Sequence, residues 1–251
     1  MVVFGTRAHG DSRRRQIRSA GVEVHKGEWM EGGDDPLLSP TIFLVEQPAG
    51  VVVPPHFHRQ NQFQLFVEGG GTVGAKTLEA VTVHYAGAYT GYGPIAAGPH
   101  GVKYFTIRAV LESGAIVLPQ GRPEMVQGPK RHATSAPVRL SSPAQLALLR
   151  APQAEDVVPV ADDGLGARVV RLPPGAVIEA EAPAAAAGMF MVVLSGSAVH
   201  AGGELATWES VFWSVQGEMP RLTAGPQGAE VVFLFIPAKA QVYSQSTSVH
   251  P

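Results

Sequence analysis

The most informative segment of this 251-residue chain reads Gly50-Val-Val-Val-Pro-Pro-His56-Phe-His58-Arg-Gln-Asn-Gln62-Phe-Gln-Leu-Phe-Val-Glu-Gly69. Its two histidines are two positions apart, and side chains at that spacing point to the same face of a β-strand. Both imidazoles can therefore enter one barrel interior, and Gln62 shares their parity if the strand has no bulge. Neutral imidazoles in such an array suit a divalent first-row metal. The alternative is a pair of hydrogen-bonded strand histidines without a metal.

Short apolar runs separated by glycine and proline make up the rest of the chain. Gly (29) and Pro (21) are abundant, whereas charged residues reach only 16 %. This composition favours many turns between short buried strands over long solvated helices. A spacing near ten residues is typical of a β-sandwich or barrel. The predicted strands are 41–47, 50–53, 62–68, 78–85, 102–110 and 115–118, followed by 167–172, 176–181, 189–194, 210–215 and 230–236.

The two sets of strands are copies of one unit. Ala97-Gly-Pro-His-Gly101 and Ala224-Gly-Pro-Gln-Gly228 each precede an apolar run, at an offset of 127 residues. Gly69 and Gly196 match at the same offset. Upstream the offset is 125, which a single two-residue insertion explains. Ordered matches of this kind indicate an internal duplication.

The segment 50–69 resembles the first motif of the cupin superfamily. That motif consists of a Gly, five residues, His-x-His, three or four residues, a Glu, six residues and a Gly. Gly50, His56, His58 and Gly69 fall in register, and Gln62 stands where the motif has its Glu. The resemblance implies an all-β bicupin, with two tandem jelly-roll barrels and a metal pocket inside one of them.

We predict three regions from the repeat and the resemblance. Residues 1–120 form an N-terminal cupin barrel with the metal or ligand pocket. Residues 121–160 form a proline-rich connector with one short helix, for which Ser142 is the N-cap. Residues 161–251 form a degenerate C-terminal barrel without metal ligands, since Glu181 and Pro183 align with His56 and His58.

The resemblance implies a divalent transition metal, Fe, Mn, Ni or Zn, as the cofactor. The predicted ligands are His56, His58 and Gln62. A neutral amide is a weaker oxygen donor than a carboxylate, so Gln62 either binds the metal or orients a water or substrate. The last histidine of the family's second motif is absent, because Pro220 in the C-terminal copy and Gly93 in the N-terminal copy occupy its place.

Three further residues are predicted to contact a substrate: Gln64, Tyr92 and His100. Gln64 shares the parity of the two histidines. Tyr92 adjoins the position of the missing histidine and serves either as a pocket wall or in ordinary barrel packing. His100 is either a further ligand or a solvent-facing residue near a barrel mouth. No catalytic residue can be named from the sequence.

Composition narrows the possible partners. The absence of Cys excludes disulfides and thiolate sites, and fits a reducing cytoplasm. A net charge of −2 gives no reason to expect nucleic acid. The longest apolar run is too short to span a membrane, and the N-terminus lacks a signal-peptide pattern. We expect a protein that binds a small molecule and exists as a monomer or homodimer.

Two function hypotheses remain open. The first is a metal-dependent enzyme acting on a small, anionic organic substrate, with oxygenase chemistry the most natural choice. The second is a non-catalytic protein that binds or senses a small molecule and keeps a degenerate metal site. Three departures from the family motifs favour the second hypothesis: the missing Glu, the missing histidine of the second motif, and the absence of metal ligands in the C-terminal copy. The histidine pair favours the first.

Overall fold

The computed structural model describes residues 1–112, 114–179, 181–214, 217–218 and 220–244. Antiparallel strands dominate it, which confirms the predicted all-β fold class. The chain divides into two compact units. We call them the C-terminal barrel (Met1–Gly10, Trp29–Glu31 and Val138–Ala238) and the N-terminal barrel (Asp11–Glu28, Gly32–Pro137 and Lys239–Pro251).

Short and long strands alternate along the chain, with only a few short helices between them. The strands are β1 (Val2–Gly5), β2 (Arg15–Ser19), β3 (Val22–Glu31), β4 (Thr41–Gln47), β5 (Val52–Val53), β6 (His56–Phe57), β7 (Gln62–Val73), β8 (Lys76–Glu79), β9 (Thr82–Ala86), β10 (Ile95–Arg108), β11 (Ile116–Val117), β12 (His132–Thr134), β13 (Gln153–Val158), β14 (Gly166–Leu172), β15 (Val177–Ile178), β16 (Ala186–His200), β17 (Gly203–Leu205), β18 (Ser210–Trp213) and β19 (Leu222–Pro237). The helices are α1 (Arg7–Ser12), α2 (Pro143–Ala147), α3 (Gln241–Ser244) and one 3₁₀ turn, Arg122–Glu124. Within the described residues, none of these helices has the length and apolar character needed to cross a membrane.

The two barrels share the order of their central strands, since β9-β7-β10-β4-β3 corresponds to β18-β16-β19-β14-β13. In the N-terminal barrel the order is β12-β9-β7-β10-β4-β3-β2, with β5 on β10 and β8 on β7, while β6 pairs with β11 separately. In the C-terminal barrel it is β1-β18-β16-β19-β14-β13, with β15 on β19 and β17 on β16. The cross-strand pairs Gln64–Thr106 and Met191–Phe233 are equivalent at an offset of 127. The repeat read from the sequence is therefore also a repeat of strand register.

A matched pair of glycines marks an equivalent close approach of the long strands in each barrel. Gly69 has φ +73°, and a Cβ added there would lie 2.2 Å from the carbonyl oxygen of Gly101. Gly196 has φ +72°, and its added Cβ would lie 2.1 Å from the carbonyl oxygen of Gly228. Both the left-handed backbone and the space require glycine, so these positions are glycine in both copies for the same steric reason.

The division of the chain differs from the linear one expected from the sequence. Strand β1 pairs with β18, which places residues 1–10 in the C-terminal barrel. The expected connector is split between the units at Pro137 and Val138. Its predicted helix is present as α2, where the Ser142 hydroxyl accepts a hydrogen bond from the Gln145 backbone N–H at 3.3 Å.

The interiors of the two barrels differ in polarity at equivalent buried positions. In the C-terminal barrel these positions belong to one apolar core cluster, whereas in the N-terminal barrel they are polar or charged. The pairs are Gln62 and Met189, Gln64 and Met191, His84 and Val211, Thr106 and Phe233, and Arg108 and Phe235.

Candidate functional site

The N-terminal barrel contains a cavity of about 320 Å³, lined in part by apolar side chains that include Phe43, Val45 and Val53. This is at the lower end of the volumes found for small-molecule sites, about 300–1,000 Å³. Its polar lining comes from β2, β3, β6, β7 and β10 and from the segments that follow β6, β9 and β10. The polar residues are Arg18, Ser19, Lys26, His56, His58, Gln64, Tyr92, Tyr104, Thr106, Arg108 and Glu112.

Strand β10 supplies the charged wall. Tyr104, Thr106 and Arg108 alternate along it and all line the cavity, as expected for side chains on one face of a strand. Phe105 and Ile107 point to the opposite face and are fully buried there. The strand is thus buried on both faces, and Arg108 is only 2 % exposed although it carries a charge.

A chain of hydrogen bonds starts at Arg108 and ends at His56. A guanidinium only donates, and Arg108 donates from Nε and Nη2 to Gln62 Oε1 at 3.0 and 2.8 Å. The Gln62 amide nitrogen then donates to the Tyr92 hydroxyl at 2.5 Å. Tyr92 in turn donates to His56 Nε2 at 2.8 Å, and His56 Nδ1 donates to the Pro54 carbonyl at 2.8 Å. Gln62 can join Arg108 to Tyr92 because an amide group both accepts and donates hydrogen bonds. An ionised carboxylate only accepts them.

His58 lies on the other side of the guanidinium. Arg108 Nη2 is 3.0 Å from its Nδ1 and 3.3 Å from its Nε2. Nδ1 is also 3.1 Å from the Gly114 carbonyl and 3.5 Å from Glu112 Oε2. Because both of these oxygens are acceptors, the ring proton is assigned to Nδ1, and Nε2 is the atom that accepts from Arg108. The Glu112 carboxylate is itself held by the Arg59 backbone N–H at 2.6 Å.

Burial sets the protonation states around the cavity. It lowers the pKa of His58 to about 4, with a further contribution from the Arg108 charge, and it lowers the pKa of His56. Burial raises the pKa of Tyr92 far above its ordinary range. For Glu112, burial acts to raise the pKa, but the hydrogen bond with His58 and the nearby charges outweigh it and lower that pKa. At neutral pH the site therefore has neutral imidazoles, an ionised Glu112 and a charged Arg108.

The structure brings most of the predicted site residues together. His56, His58, Gln64 and Tyr92 line the cavity. Gln62 is fully buried behind this lining, where it bonds Arg108 and Tyr92. The roles of these residues as metal ligands or substrate contacts remain predictions.

His100 is placed elsewhere. It is exposed at the irregularity of β10 between Ala97 and Val102 and lies beside a separate surface depression rather than the cavity. Its position fits the expectation of a solvent-facing residue better than that of a further ligand.

Sequence reasoning missed Arg108 and Glu112. For Arg108 a signal was available, since the repeat offset of 127 aligns it with Phe235 and so places a charge where the other copy has a core aromatic residue. For Glu112 no local pattern was available, because it follows β10 in an irregular segment.

Comparisons with known proteins identify the architecture. No family model matches the sequence, and no curated protein matches it. Solved structures do match. A candidate dioxygenase of Nostoc punctiforme PCC 73102 has a TM-score of 0.64 at 9 % identity, covering 96 % of this chain and 84 % of that one. The formate complex of Lactobacillus farciminis oxalate decarboxylase has a TM-score of 0.57 at 11 % identity, covering 91 % and 85 %. The chain has the cupin fold.

A Bacillus subtilis oxalate decarboxylase variant with the cupin fold has a TM-score of 0.59 at 11 % identity and covers 95 % of this chain and 78 % of its own. That enzyme has Mn(II) centres. Identities this low show a shared fold, so the chemistry of this chain must be argued from its own residues. The donor set of the cavity must therefore be compared directly with what a metal needs.

The donor set does not fit a divalent metal. Within the described residues, no group of three or more His, Cys, Asp or Glu side chains is arranged to hold a metal ion. His56 Nε2 already accepts the Tyr92 hydroxyl, and Gln62 Oε1 already accepts two bonds from Arg108. His58 faces the same guanidinium. A permanent, buried positive charge thus stands beside the atoms that would bind the metal.

Proposed function

We propose that the N-terminal barrel of this cupin binds a small organic anion, that the anion's carboxylate contacts Arg108, and that binding uses no resident metal ion. The observation that carries the proposal is the buried guanidinium in the cavity wall. Within the described residues its hydrogen bonds use Nε and Nη2. The N–H groups of Nη1 are then available to donate a charge-assisted hydrogen bond to a carboxylate.

The charges around the cavity support an anion. Three basic residues line the cavity, Arg18, Lys26 and Arg108, against one acidic residue, Glu112, among the residues that the structure describes. Lys26 is partly neutralised by Glu28 at 2.9 Å. An excess of positive charge within low-dielectric walls raises the local concentration of anions.

The shape and polarity of the cavity support a small ligand with an apolar part. Phe43, Val45 and Val53 add apolar lining beside the polar groups, and Phe43 and Val45 are the β4 neighbours of Thr106 and Tyr104. A mixture of apolar lining and a few polar groups is the usual composition of small-molecule sites. Of the two hypotheses from the sequence, these features favour the binding protein. Metal-dependent oxygenase chemistry would need donors that are already engaged by Arg108 and Tyr92.

Titration with butanoate, followed by protein NMR, tests the proposal. Wild-type protein should bind it, and Arg108→Met should weaken binding at least about 100-fold, since charge-assisted hydrogen bonds are lost. Arg108→Lys keeps the charge but cannot hold Gln62, His58 and a carboxylate in the same planar arrangement, and should give an intermediate affinity. Arg168→Met, which removes a surface arginine paired with Asp156 in the C-terminal barrel, is the matched control.

Elemental analysis of protein prepared without chelators tests whether a metal ion is bound. One equivalent of Fe, Mn, Ni or Zn that is lost in His56→Ala would overturn the metal-independent proposal and favour the enzyme hypothesis. Unchanged butanoate affinity in folded Arg108→Met would overturn the assigned carboxylate position.

A further inference from the structure

Gln64 gives the cavity a second polar feature, which the carboxylate site at Arg108 leaves unused. Its side chain lines the cavity, is 2 % exposed, and has an Oε1 atom that is buried without a hydrogen-bond partner. Buried polar atoms are nearly always hydrogen-bonded, and an amide oxygen can only accept. A ligand in the cavity that carries a hydrogen-bond donor would satisfy it.

The strand register fixes where this acceptor lies relative to the charge. Gln64 is directly opposite Thr106 on β10, and Arg108 is two residues farther along the same face. Two residues of a strand span about 7 Å. A ligand that reaches both side chains therefore carries its carboxylate and its donor a few bonds apart.

The surroundings of Gln64 favour a neutral donor. Its neighbours across the sheet are Thr106 and His84, and His84 is also buried and uncharged, because burial lowers its pKa to about 4. An ammonium group at this place would be buried near the positive charge of Arg108, and the repulsion between the two cations would weaken its binding. The acidic residue of the lining, Glu112, already accepts from the Arg59 backbone and faces His58.

We propose that the preferred ligand is a hydroxycarboxylate, with its carboxylate on Arg108 and its hydroxyl donating to Gln64 Oε1. This inference rests on the proposed function, since the carboxylate must first bind Arg108. It assigns Gln64 as the residue that distinguishes hydroxylated from plain carboxylates. The Thr106 and Tyr104 hydroxyls, on the same face of β10, complete the polar wall.

A series of four-carbon acids tests the inference. The probes are butanoate, its 2-, 3- and 4-hydroxy derivatives, and 3-aminobutanoate, each titrated at pH 7. At least one hydroxybutanoate should bind about 10-fold or more tightly than butanoate, because it pairs a buried acceptor. The amino derivative should show no such gain.

Variants of two glutamines isolate the cause. Gln64→Leu should remove the preference for the hydroxyl, so that within this variant no hydroxybutanoate binds more tightly than butanoate does. The matched control is Gln47→Leu in the same barrel. Gln47 is also buried with an unpartnered Oε1, but it lies outside the lining of the main cavity. Its variant should keep the preference.

The outcomes separate the inference from the proposed function. Equal affinities for butanoate and every hydroxybutanoate, a preference that survives in Gln64→Leu, or a preference for the amino derivative would each overturn the inference while carboxylate binding stands. If none of the acids in the series binds to folded wild-type protein, both the inference and the proposed function are overturned.

Discussion

Replacing the guanidinium of Arg108 and restoring a carboxylate should convert this site into a metal site. The double variant Gln62→Glu with Arg108→Met keeps His56 and His58 and introduces a carboxylate at position 62, which gives three candidate metal ligands. Wild-type protein should bind Mn(II) or Zn(II) only weakly at this position. The double variant should bind either ion at least 100-fold more tightly.

The magnitude follows from the position of the guanidinium. A metal ion about 2.1 Å from Gln62 Oε1 would be at most about 5 Å from Arg108 Nη2, which is 2.8 Å from the same oxygen. At an effective dielectric constant of about 20, a double and a single positive charge at that distance repel by about 7 kcal/mol. This corresponds to roughly five orders of magnitude in affinity, so a 100-fold gain is a lower bound that allows the arginine to move.

Isothermal titration with MnCl₂ and ZnCl₂ measures the effect, and circular dichroism checks the fold of each variant. The two single variants are matched controls. Gln62→Glu alone should form an ion pair with Arg108 and bind no metal tightly. Arg108→Met alone leaves two imidazoles and an amide, which is too weak a donor set for tight binding.

One result would refute this reasoning. Submicromolar binding of one equivalent of Mn(II) or Zn(II) to wild-type protein, abolished by His56→Ala and by His58→Ala, would show that the guanidinium does not exclude a metal. The metal site predicted from the sequence would then be correct.

Three further predictions concern stability. In the folded protein His58 and His84 each have a pKa near 4, whereas in the unfolded chain they take up protons below about pH 6.5. As the pH is lowered from about 6.5 to 4, the free energy of unfolding measured in urea should therefore fall by about 1.4 kcal/mol per histidine per pH unit. A profile that stays flat over this range would contradict the prediction. A Cβ at Gly128 would lie 2.6 Å from the Tyr243 ring, so Gly128→Ala should destabilise by about 1–3 kcal/mol in wild type and by much less in a Tyr243→Ala background; equal costs in both would contradict the contact. Met191 is fully buried, so Met191→Ala should cost about 2–5 kcal/mol in denaturant unfolding, and an unchanged midpoint would show that the core of the C-terminal barrel is not packed there.

Much of the fold could be predicted because its signals are local or repeated. The strand expected at 41–47 is β4, Thr41–Gln47, and the glycine matches at the offset of 127 reappear as equivalent close approaches. Strand β1 could not be predicted. Its partner is β18, and the pair Val2–Trp213 joins residues more than 200 positions apart. A four-residue strand carries no local pattern that reveals so distant a partner.

The surroundings of the site could be predicted only in part. His56, His58 and Gln64 line the cavity, but β6 (His56–Phe57) and β7 (Gln62–Val73) are separate strands, so parity along one strand does not relate Gln64 to the histidines. In the sequence, Arg108 is marked only by the repeat, which aligns it with the core residue Phe235. The orientation of Gln62, which accepts from Arg108 and donates to Tyr92, depends on side chains from three separate segments and is invisible in any one of them.

The duplication itself is the strongest argument that Arg108 serves binding rather than folding. A buried charge costs more desolvation free energy than an apolar residue of similar volume, and replacing such charges often stabilises a protein. The C-terminal barrel shows that the fold accepts this replacement, because Phe235 occupies the equivalent position within a continuous apolar core. The same holds for Gln64, whose counterpart is Met191. The fold therefore does not require polar groups at these positions. The N-terminal barrel keeps a buried guanidinium and an unpaired amide oxygen around an open cavity, and the proposed anionic ligand with a hydrogen-bond donor would compensate both.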